Sequence, residues 1–124
     1  MILVDTSIWI DHLRTGNPAL VRLLDTGAVL AHPWGTGELA LGNLSRRDEV
    51  IGLLGGLPQA ALADGDEVLR FINQEALHGA GIGYVDAQLL TATRLTPGTL
   101  LWTRDQRLAT VAARLGLDHW PALA

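Results

Sequence analysis

The sequence contains no cysteine and no lysine. Without cysteine, disulfides, thiolate metal sites and thiol nucleophiles are excluded. Without lysine, P-loop nucleotidases are excluded, because their lysine must reach the phosphates, and so are enzymes that form a Schiff base. All nine formal positive charges are therefore arginines, which stay ionised and can hold a phosphate with two hydrogen bonds.

Long hydrophobic segments are also absent. The longest stretch without a charged residue, 50–63, is interrupted by glycines and Pro58, and it is too short to cross a membrane. The N-terminus lacks the basic region of a signal peptide. With 48% hydrophobic and 18% charged residues, the chain has the composition of a globular protein. We expect a single domain over 1–124 that is cytoplasmic and has no membrane partner.

Short apolar runs alternate with helical segments along the whole chain. Strands are predicted at 2–4, 28–31, 59–63, 99–103 and 117–120, and helices at 8–13, 17–26, 33–44, 48–54, 66–77, 86–95 and 105–115. Ser7 is the predicted N-cap of the first helix. In the helix 66–77, Val68, Leu69, Ile72 and Leu77 are predicted to face inward. This alternation predicts an α/β domain with a mainly parallel sheet.

Four acidic residues stand where predicted strands end or the following helices begin. They are Asp5, Glu38, Asp86 and Asp105. Ligands of parallel sheets bind outside the carboxyl ends of the strands, so all four are expected near one edge of the sheet. Two carboxylates about 4 Å apart repel by about 4 kcal/mol at an effective dielectric near 20. Their convergence would require a proton or a bound cation between them.

Each acid also has a purely structural interpretation. Asp86 and Asp105 are well placed to cap helices, and Asp5 could form an Asx turn. Glu38 is harder to explain in this way, because its neighbours are almost all apolar or small. The four histidines are scattered and cysteine is absent, which disfavours zinc. An all-oxygen site favours Mg²⁺ or Mn²⁺ and metal-dependent hydrolysis of phosphodiesters.

Four segments of the chain resemble PIN-domain ribonucleases, and more narrowly the VapC toxins of VapBC toxin–antitoxin pairs. The segments are Ile2-Leu3-Val4-Asp5-Thr6-Ser7-Ile8-Trp9-Ile10, Gly37-Glu38-Leu39-Ala40-Leu41-Gly42, Val85-Asp86-Ala87-Gln88-Leu89-Leu90 and Leu101-Trp102-Thr103-Arg104-Asp105-Gln106-Arg107-Leu108. The resemblance implies a PIN-like three-layer domain whose short, mainly parallel sheet of four to five strands is flanked by helices.

The resemblance also implies an activity and a site. The activity is that of an endoribonuclease toxin, which cleaves RNA with water activated by one or two Mg²⁺ or Mn²⁺ ions. The family's acid quartet falls on the four acids above, and its supporting hydroxyls fall on Thr6, Ser7 and Thr103. A VapB-type antitoxin and a second copy of the chain are the implied partners. A catalytically silent PIN-like module that binds RNA or protein is the alternative.

Arginines near the predicted site are candidates for contact with the RNA backbone. Arg104 and Arg107 flank the fourth acid, whereas Arg46 and Arg47 could equally be solvated surface residues. Taken by itself, the net charge of −4 argues against a nucleic-acid partner. If four acids share one pocket, however, the remaining nine acids balance the nine arginines.

The Gly-rich segment 35–40 matches a dinucleotide-binding pattern, G-x-G-x-x-A. Pro33 and Trp34 separate it from the preceding strand, and no acid stands at a suitable strand end about 20 residues further on. A nucleotide-cofactor site is therefore disfavoured.

Overall fold

The chain folds into an α/β domain. The structure is a computed structural model, and it describes residues 1–119. Its elements are, in order, β1 (Ile2–Val4), α1 (Thr6–Thr15), α2 (Pro18–Asp25), β2 (Val29–Leu30), α3 (Pro33–Ala40), α4 (Arg47–Gly56), α5 (Gly65–Gln74), α6 (Tyr84–Leu95), β3 (Leu100–Trp102) and α7 (Gln106–Arg114). Within the same residues, no helix has both the length and the apolar character needed to cross a membrane.

The sheet has three parallel strands in the order β2-β1-β3. Leu3 pairs with Leu30 on one side and with Leu101 on the other, so β1 is the central strand. All three residues of β1 are buried, as expected for a continuous apolar strand covered on both faces. Because the strands run in the same direction, their carboxyl ends meet at one edge.

The sheet has three strands, fewer than the four to five predicted. Within residues 1–119, the predicted strand 59–63 forms one parallel bridge, from Gln59 to Ala31. The pairing stops there because the neighbouring segment enters α3 at Pro33, which has no backbone N–H to continue the ladder.

The last predicted strand, 117–120, is likewise reduced to one bridge, between Asp118 and Leu101. Trp120 lies outside the described residues. The two bridges flank the sheet, so these segments continue the predicted parallel order by one residue pair each.

Helices cover both faces of the sheet, as the side-chain alternation of β1 requires. Leu3 belongs to a core cluster that includes Leu89 and Leu90 of α6 and Leu108 of α7. The flanking residues Ile2 and Val4 belong to a second cluster on the opposite face, with Ile8, Trp9 and Leu20 of α1 and α2. The predicted three-layer arrangement is therefore present.

Two details of the predicted helices are wrong. The N-cap of α1 is Asp5, not Ser7, because the carboxylate of Asp5 accepts from the backbone N–H of Ser7. On α5, Leu69 is 56% exposed, while Phe71 packs inward with Val68. The pattern 68, 71, 72 is the inward face of a helix, and Leu69 falls outside it.

Candidate functional site

Asp5 occupies the centre of the sheet edge at which the predicted site lies. It directly follows β1, and its backbone N–H donates to the carbonyl of Trp102 at the end of β3. The residue is only 5% exposed, yet it carries an ionisable carboxylate. A buried carboxylate needs hydrogen bonds or a counter-charge, and the surrounding hydroxyls supply part of this requirement.

Two hydroxyl groups donate to the same oxygen of Asp5. Ser7 Oγ lies 2.7 Å from Oδ2, and Thr103 Oγ1 lies 2.8 Å from it. The hydrogen bonds that the Asp5 carboxylate accepts from residues 1–119 all go to Oδ2. The carboxylate is thus held in one orientation, with Oδ1 left for another ligand.

Asp86 and Asp105 both cap helices, as their structural interpretation predicted. Asp86 Oδ2 accepts from the backbone N–H of Gly83 at the start of α6, at 3.1 Å. Asp105 Oδ1 accepts from the N–H of Leu108 at the start of α7, at 3.0 Å. Capping uses one oxygen of each carboxylate and fixes where the other points. The structural role therefore does not exclude a functional one.

Glu38 lies in α3 and is exposed, unlike Asp5. Its apolar sequence neighbours include Leu41, which is 91% exposed, so the apolar surroundings expected from the sequence are not a buried face. Asp86 is half-buried and Asp105 is exposed. The four acids thus range from a buried residue at the sheet edge to exposed residues on the helices.

Electrostatic coupling links the four carboxylates. Burial raises the pKa of Glu38, and the negative charges of Asp5 and Asp86 raise it further. Burial also raises the pKa of Asp86; the hydrogen bond from Gly83 opposes this increase, and the charges of Asp5 and Asp105 add to it. The acids are therefore close enough to destabilise one another when ionised, which a cation would relieve.

The acidic side chains are not already arranged as a complete metal-binding site. Among residues 1–119, no three His, Cys, Asp or Glu side chains are grouped closely enough to hold a metal ion. The donor chemistry, carboxylate oxygens with mutual repulsion, fits Mg²⁺ or Mn²⁺. An ion would nevertheless have to draw the side chains together.

Arg104 is fixed beside the site by two contacts that the sequence did not predict. Its backbone N–H donates to Ser7 Oγ at 3.0 Å, and its guanidinium forms an ion pair with Asp11. Asp11 also accepts from the side chain of Asn17. The signal in the sequence was the i, i+4 spacing of Ser7 and Asp11, which places both on one face of α1.

The remaining predicted site residues do not all lie beside the four acidic residues. Thr6 lines a small cavity beside His32 and Leu39, and no hydrogen bond joins it to the four acids among the described residues. Arg46 pairs with Glu49, and Arg47 pairs with Asp48 and donates to the carbonyl of Ala40. These two arginines lie at the start of α4. Arg107 is exposed in the first turn of α7.

An aromatic pair joins the two helices that carry Glu38 and Asp86. The rings of Trp34 in α3 and Tyr84 in α6 meet edge to face, with centroids 5.5 Å apart. The hydroxyl of Tyr84 also accepts from the side chain of Gln88. This contact helps to fix the relative position of α3 and α6, and with it the position of their acids.

Comparison with known proteins gives two kinds of match. The chain is 47% identical over 117 residues to Ribonuclease VapC32 of Mycobacterium tuberculosis, in strain CDC 1551 / Oshkosh and equally in strain ATCC 25618 / H37Rv, with 94% of each chain covered. No family model matches.

The fold is similar to that in the crystal structure of FitAcB from Neisseria gonorrhoeae. The TM-score is 0.61, the sequence identity is 21%, and the match covers 91% of this chain and 94% of the other. At this identity the likeness concerns the fold alone. The predicted class, a PIN-like α/β domain, is confirmed.

Proposed function

Because the chain belongs to the VapC ribonuclease family, we propose that it is a metal-dependent endoribonuclease toxin of a toxin–antitoxin pair. The observation that carries the proposal is the 47% identity to Ribonuclease VapC32 over nearly the whole chain. The coupling of the pKa values of Glu38 and Asp86 to the neighbouring carboxylates supports a cation site at the same edge of the sheet.

In this proposal, Asp5, Glu38 and Asp86 hold one Mg²⁺ or Mn²⁺ ion directly or through water. A bound ion of this kind polarises a phosphoryl oxygen and lowers the pKa of bound water. Asp105 orients the attacking water or contributes to a second ion. Hydrolysis then leaves a 5′-phosphate and a 3′-hydroxyl.

The chain's own hydroxyls hold the carboxylates in place. Ser7 and Thr103 fix the orientation of Asp5 through Oδ2, and Thr103 also accepts from the backbone N–H of Asp105 at 3.0 Å. Supporting hydrogen bonds of this kind orient metal ligands and tune their affinity. Arg104 stands beside them, and to meet a phosphate near Asp5 its guanidinium would have to leave its ion pair with Asp11.

The test is cleavage of single-stranded RNA by the purified chain with Mg²⁺ or Mn²⁺, compared with the same reaction in excess EDTA. Asp5→Asn and Asp86→Asn should abolish cleavage and the growth arrest caused by induced expression. Asp66→Asn is the matched control, because Asp66 is an exposed acid on α5. Cleavage that persists in EDTA would contradict the metal mechanism. A folded chain that binds RNA or protein without cleaving would indicate the silent module instead.

An antitoxin segment is proposed to occupy the groove between α1 and α4. The groove encloses about 890 Å³, and its apolar residues include Ile10, Leu13 and Leu53, all exposed. Trp9 of α1 is only 3% exposed and packs in the core, so it does not line the groove. A helix with an apolar face is the kind of partner that such a groove accepts.

The antitoxin proposal predicts that a small protein is encoded next to this gene, and co-expression of the two proteins tests it. Ile10→Asp should prevent rescue of growth while leaving ribonuclease activity intact. Leu69→Asp is the control, since Leu69 is exposed on α5, away from the groove. Equal rescue of both variants would rule out this groove as the antitoxin site.

The family resemblance also leads us to propose a homodimer. Light scattering coupled to size-exclusion chromatography should give twice the chain mass of 13.3 kDa. A mass of one chain at micromolar concentration would contradict it.

A further inference from the structure

A second groove lies between α7 and the connector that precedes α6. It encloses about 520 Å³ and is lined by Ala76, His78, Gly79, Ala80, Gln106, Arg107, Thr110, Val111 and Arg114. None of the lining residues is acidic, although the whole chain has a net charge of −4. The groove is therefore a local concentration of positive charge.

Both arginines of the groove are without an ionic partner among residues 1–119. Most of the other arginines there form ion pairs, including Arg94 with Glu75 and Arg104 with Asp11. Arg114 donates to the backbone carbonyl of Glu75, which holds its side chain but leaves its charge uncompensated. An arginine fixed by a neutral contact keeps its charge available for an anion.

The side chain of Arg107 lies in close contact with Gly81 of the connector. A Cβ atom added at Gly81 would lie 3.0 Å from Cδ and 3.1 Å from Nη1 of Arg107, and the φ of Gly81 is +79°. A side chain at this position would be strained by the positive φ and would crowd the arginine by a few tenths of an ångström, so Gly81 leaves room for the guanidinium beside the backbone.

The groove is continuous in sequence with two of the acids. Asp105 caps α7, which presents Arg107 in its first turn, and the connector ends at Gly83, whose N–H is bound by Asp86. Arg107, Thr110 and Arg114 have the i, i+3, i+7 spacing of one helix face. Seven residues correspond to about 10 Å along a helix, a spacing at which the two arginines can contact different phosphates of one strand.

We propose that this groove binds the phosphate backbone of the single-stranded RNA substrate, with Arg107 and Arg114 contacting phosphates beyond the scissile one. The inference rests on the proposed ribonuclease function and adds a path for the RNA strand away from the acids. Contacts to phosphates carry no base information. The groove should therefore contribute to affinity equally for RNAs of different sequence.

The experiment measures binding and not cleavage, so that it stands apart from the test of catalysis. Fluorescence anisotropy with two labelled single-stranded RNAs of equal length and different sequence gives the dissociation constant over a range of salt concentrations. The full chain carries Asp5→Asn to prevent cleavage. Into this background are placed Arg107→Gln, Arg114→Gln and, as the matched control, Arg22→Gln on α2. Thermal melting confirms that each variant is folded.

We expect each groove substitution to weaken binding on the order of tenfold for both RNAs, the gain typical of a charged hydrogen bond. Each should also reduce the salt dependence of log K by about 0.7, the value for one phosphate contact on a single strand. Arg22→Gln should change neither quantity. Arg107→Gln decides the outcome if Arg114→Gln unfolds, because Arg107 makes no hydrogen bond to the backbone within residues 1–119.

Two results would overturn the inference. Unchanged affinity and salt dependence in both groove variants would exclude the groove as an RNA subsite, even if the chain cleaves RNA. Unchanged RNA binding with weakened binding of a labelled poly-glutamate peptide would assign the groove to an acidic protein partner. Conversely, reduced RNA binding in a chain that never cleaves RNA would support the groove and contradict the proposed catalytic function.

Discussion

The hydroxyl of Thr103 donates a hydrogen bond of 2.8 Å to Oδ2 of Asp5, across a separation of 98 residues in the sequence. Strand register explains the contact. Val4 pairs with Trp102 in the parallel ladder, so Asp5 and Thr103 are the next residues beyond it on each strand. The same hydroxyl accepts from the N–H of Asp105. One side chain therefore ties together two of the four acidic positions.

Thr103→Val should lower ribonuclease activity or metal affinity by about 10- to 100-fold, the effect typical of removing a hydrogen bond that supports a metal ligand. The change keeps the shape of the side chain and removes its hydroxyl. Thr103→Ser keeps the hydroxyl and should retain most activity. Titration of Mg²⁺ against cleavage rate measures the effect. Equal activity of the valine and serine variants would show that the hydrogen bond has no functional role.

The order of elements could be predicted from the sequence because buried strands and amphipathic helices leave different hydrophobic patterns. The apolar run at Ile2–Val4 ends at a charged residue, and that change is visible in the sequence. The extent of the outer strands was not predictable. Residues 59–63 have the composition of a strand, but the segment that would pair with them enters α3 at Pro33, which has no N–H to donate.

The candidate site was predictable to a similar degree. Asp5 and Asp105 directly follow strands and Asp86 lies in the first turn of a helix, so the placement of these three acids could be inferred from the chain order. The exposure of Glu38 could not, because it depends on how far α3 stands from its neighbours. The groove at Arg107 and Arg114 could not be predicted from the sequence either. One of its walls is a connector whose path depends on the positive φ angles of Gly79 and Gly81.

Asp105→Asn should separate the capping role of this residue from its proposed catalytic role. Asparagine caps helices about as well as aspartate, so stability should change little, whereas the loss of charge should reduce cleavage. Asp105→Ala should lower the free energy of unfolding by about 1 kcal/mol as well, because the bond to Leu108 is lost. Urea unfolding and cleavage assays give the two readouts. Full activity in Asp105→Asn would leave capping as the only role.

Glu38→Gln should stabilise the fold at pH 7 in the absence of divalent ions. The pKa of Glu38 is raised from its ordinary value of 4.5 by partial burial and by the charges of Asp5 and Asp86. The folded state therefore binds the proton more tightly than the unfolded state, and stability falls as pH rises from 4.5 through the raised pKa. Since Glu38 is exposed, we expect a gain of only a few tenths of a kcal/mol.

Thermal melting at pH 7 and pH 4 checks this prediction. The gain should shrink at pH 4, where the glutamate is largely protonated in both states. Excess Mg²⁺ should reverse the order, because a ligand at 100 times its Kd stabilises the parent by about 2.7 kcal/mol and the variant binds it less well. Asp66→Asn, away from the site, should respond to neither change. A lower Tm for Glu38→Gln in EDTA would contradict the proposed repulsion.

His32→Asn should flatten the decline of stability below pH 6.5. Burial lowers the pKa of His32 from 6.5. Below pH 6.5 the unfolded chain therefore takes up a proton that the folded chain does not, and stability falls by up to about 1.4 kcal/mol per pH unit. Above pH 6.5 the imidazole is largely neutral in both states and contributes no such dependence. Asparagine can keep the N-cap bond that Nδ1 of His32 accepts from Trp34.

Urea unfolding of both proteins between pH 5.5 and pH 8 measures this effect. The variant should be less stable at pH 8, because the smaller side chain leaves space in a buried site, so the slope and not the absolute value is the readout. Burial also lowers the pKa of His119, which leaves a residual slope in the variant. An unchanged slope in His32→Asn would show that His32 titrates alike in both states, and that its burial imposes no penalty on the charged form.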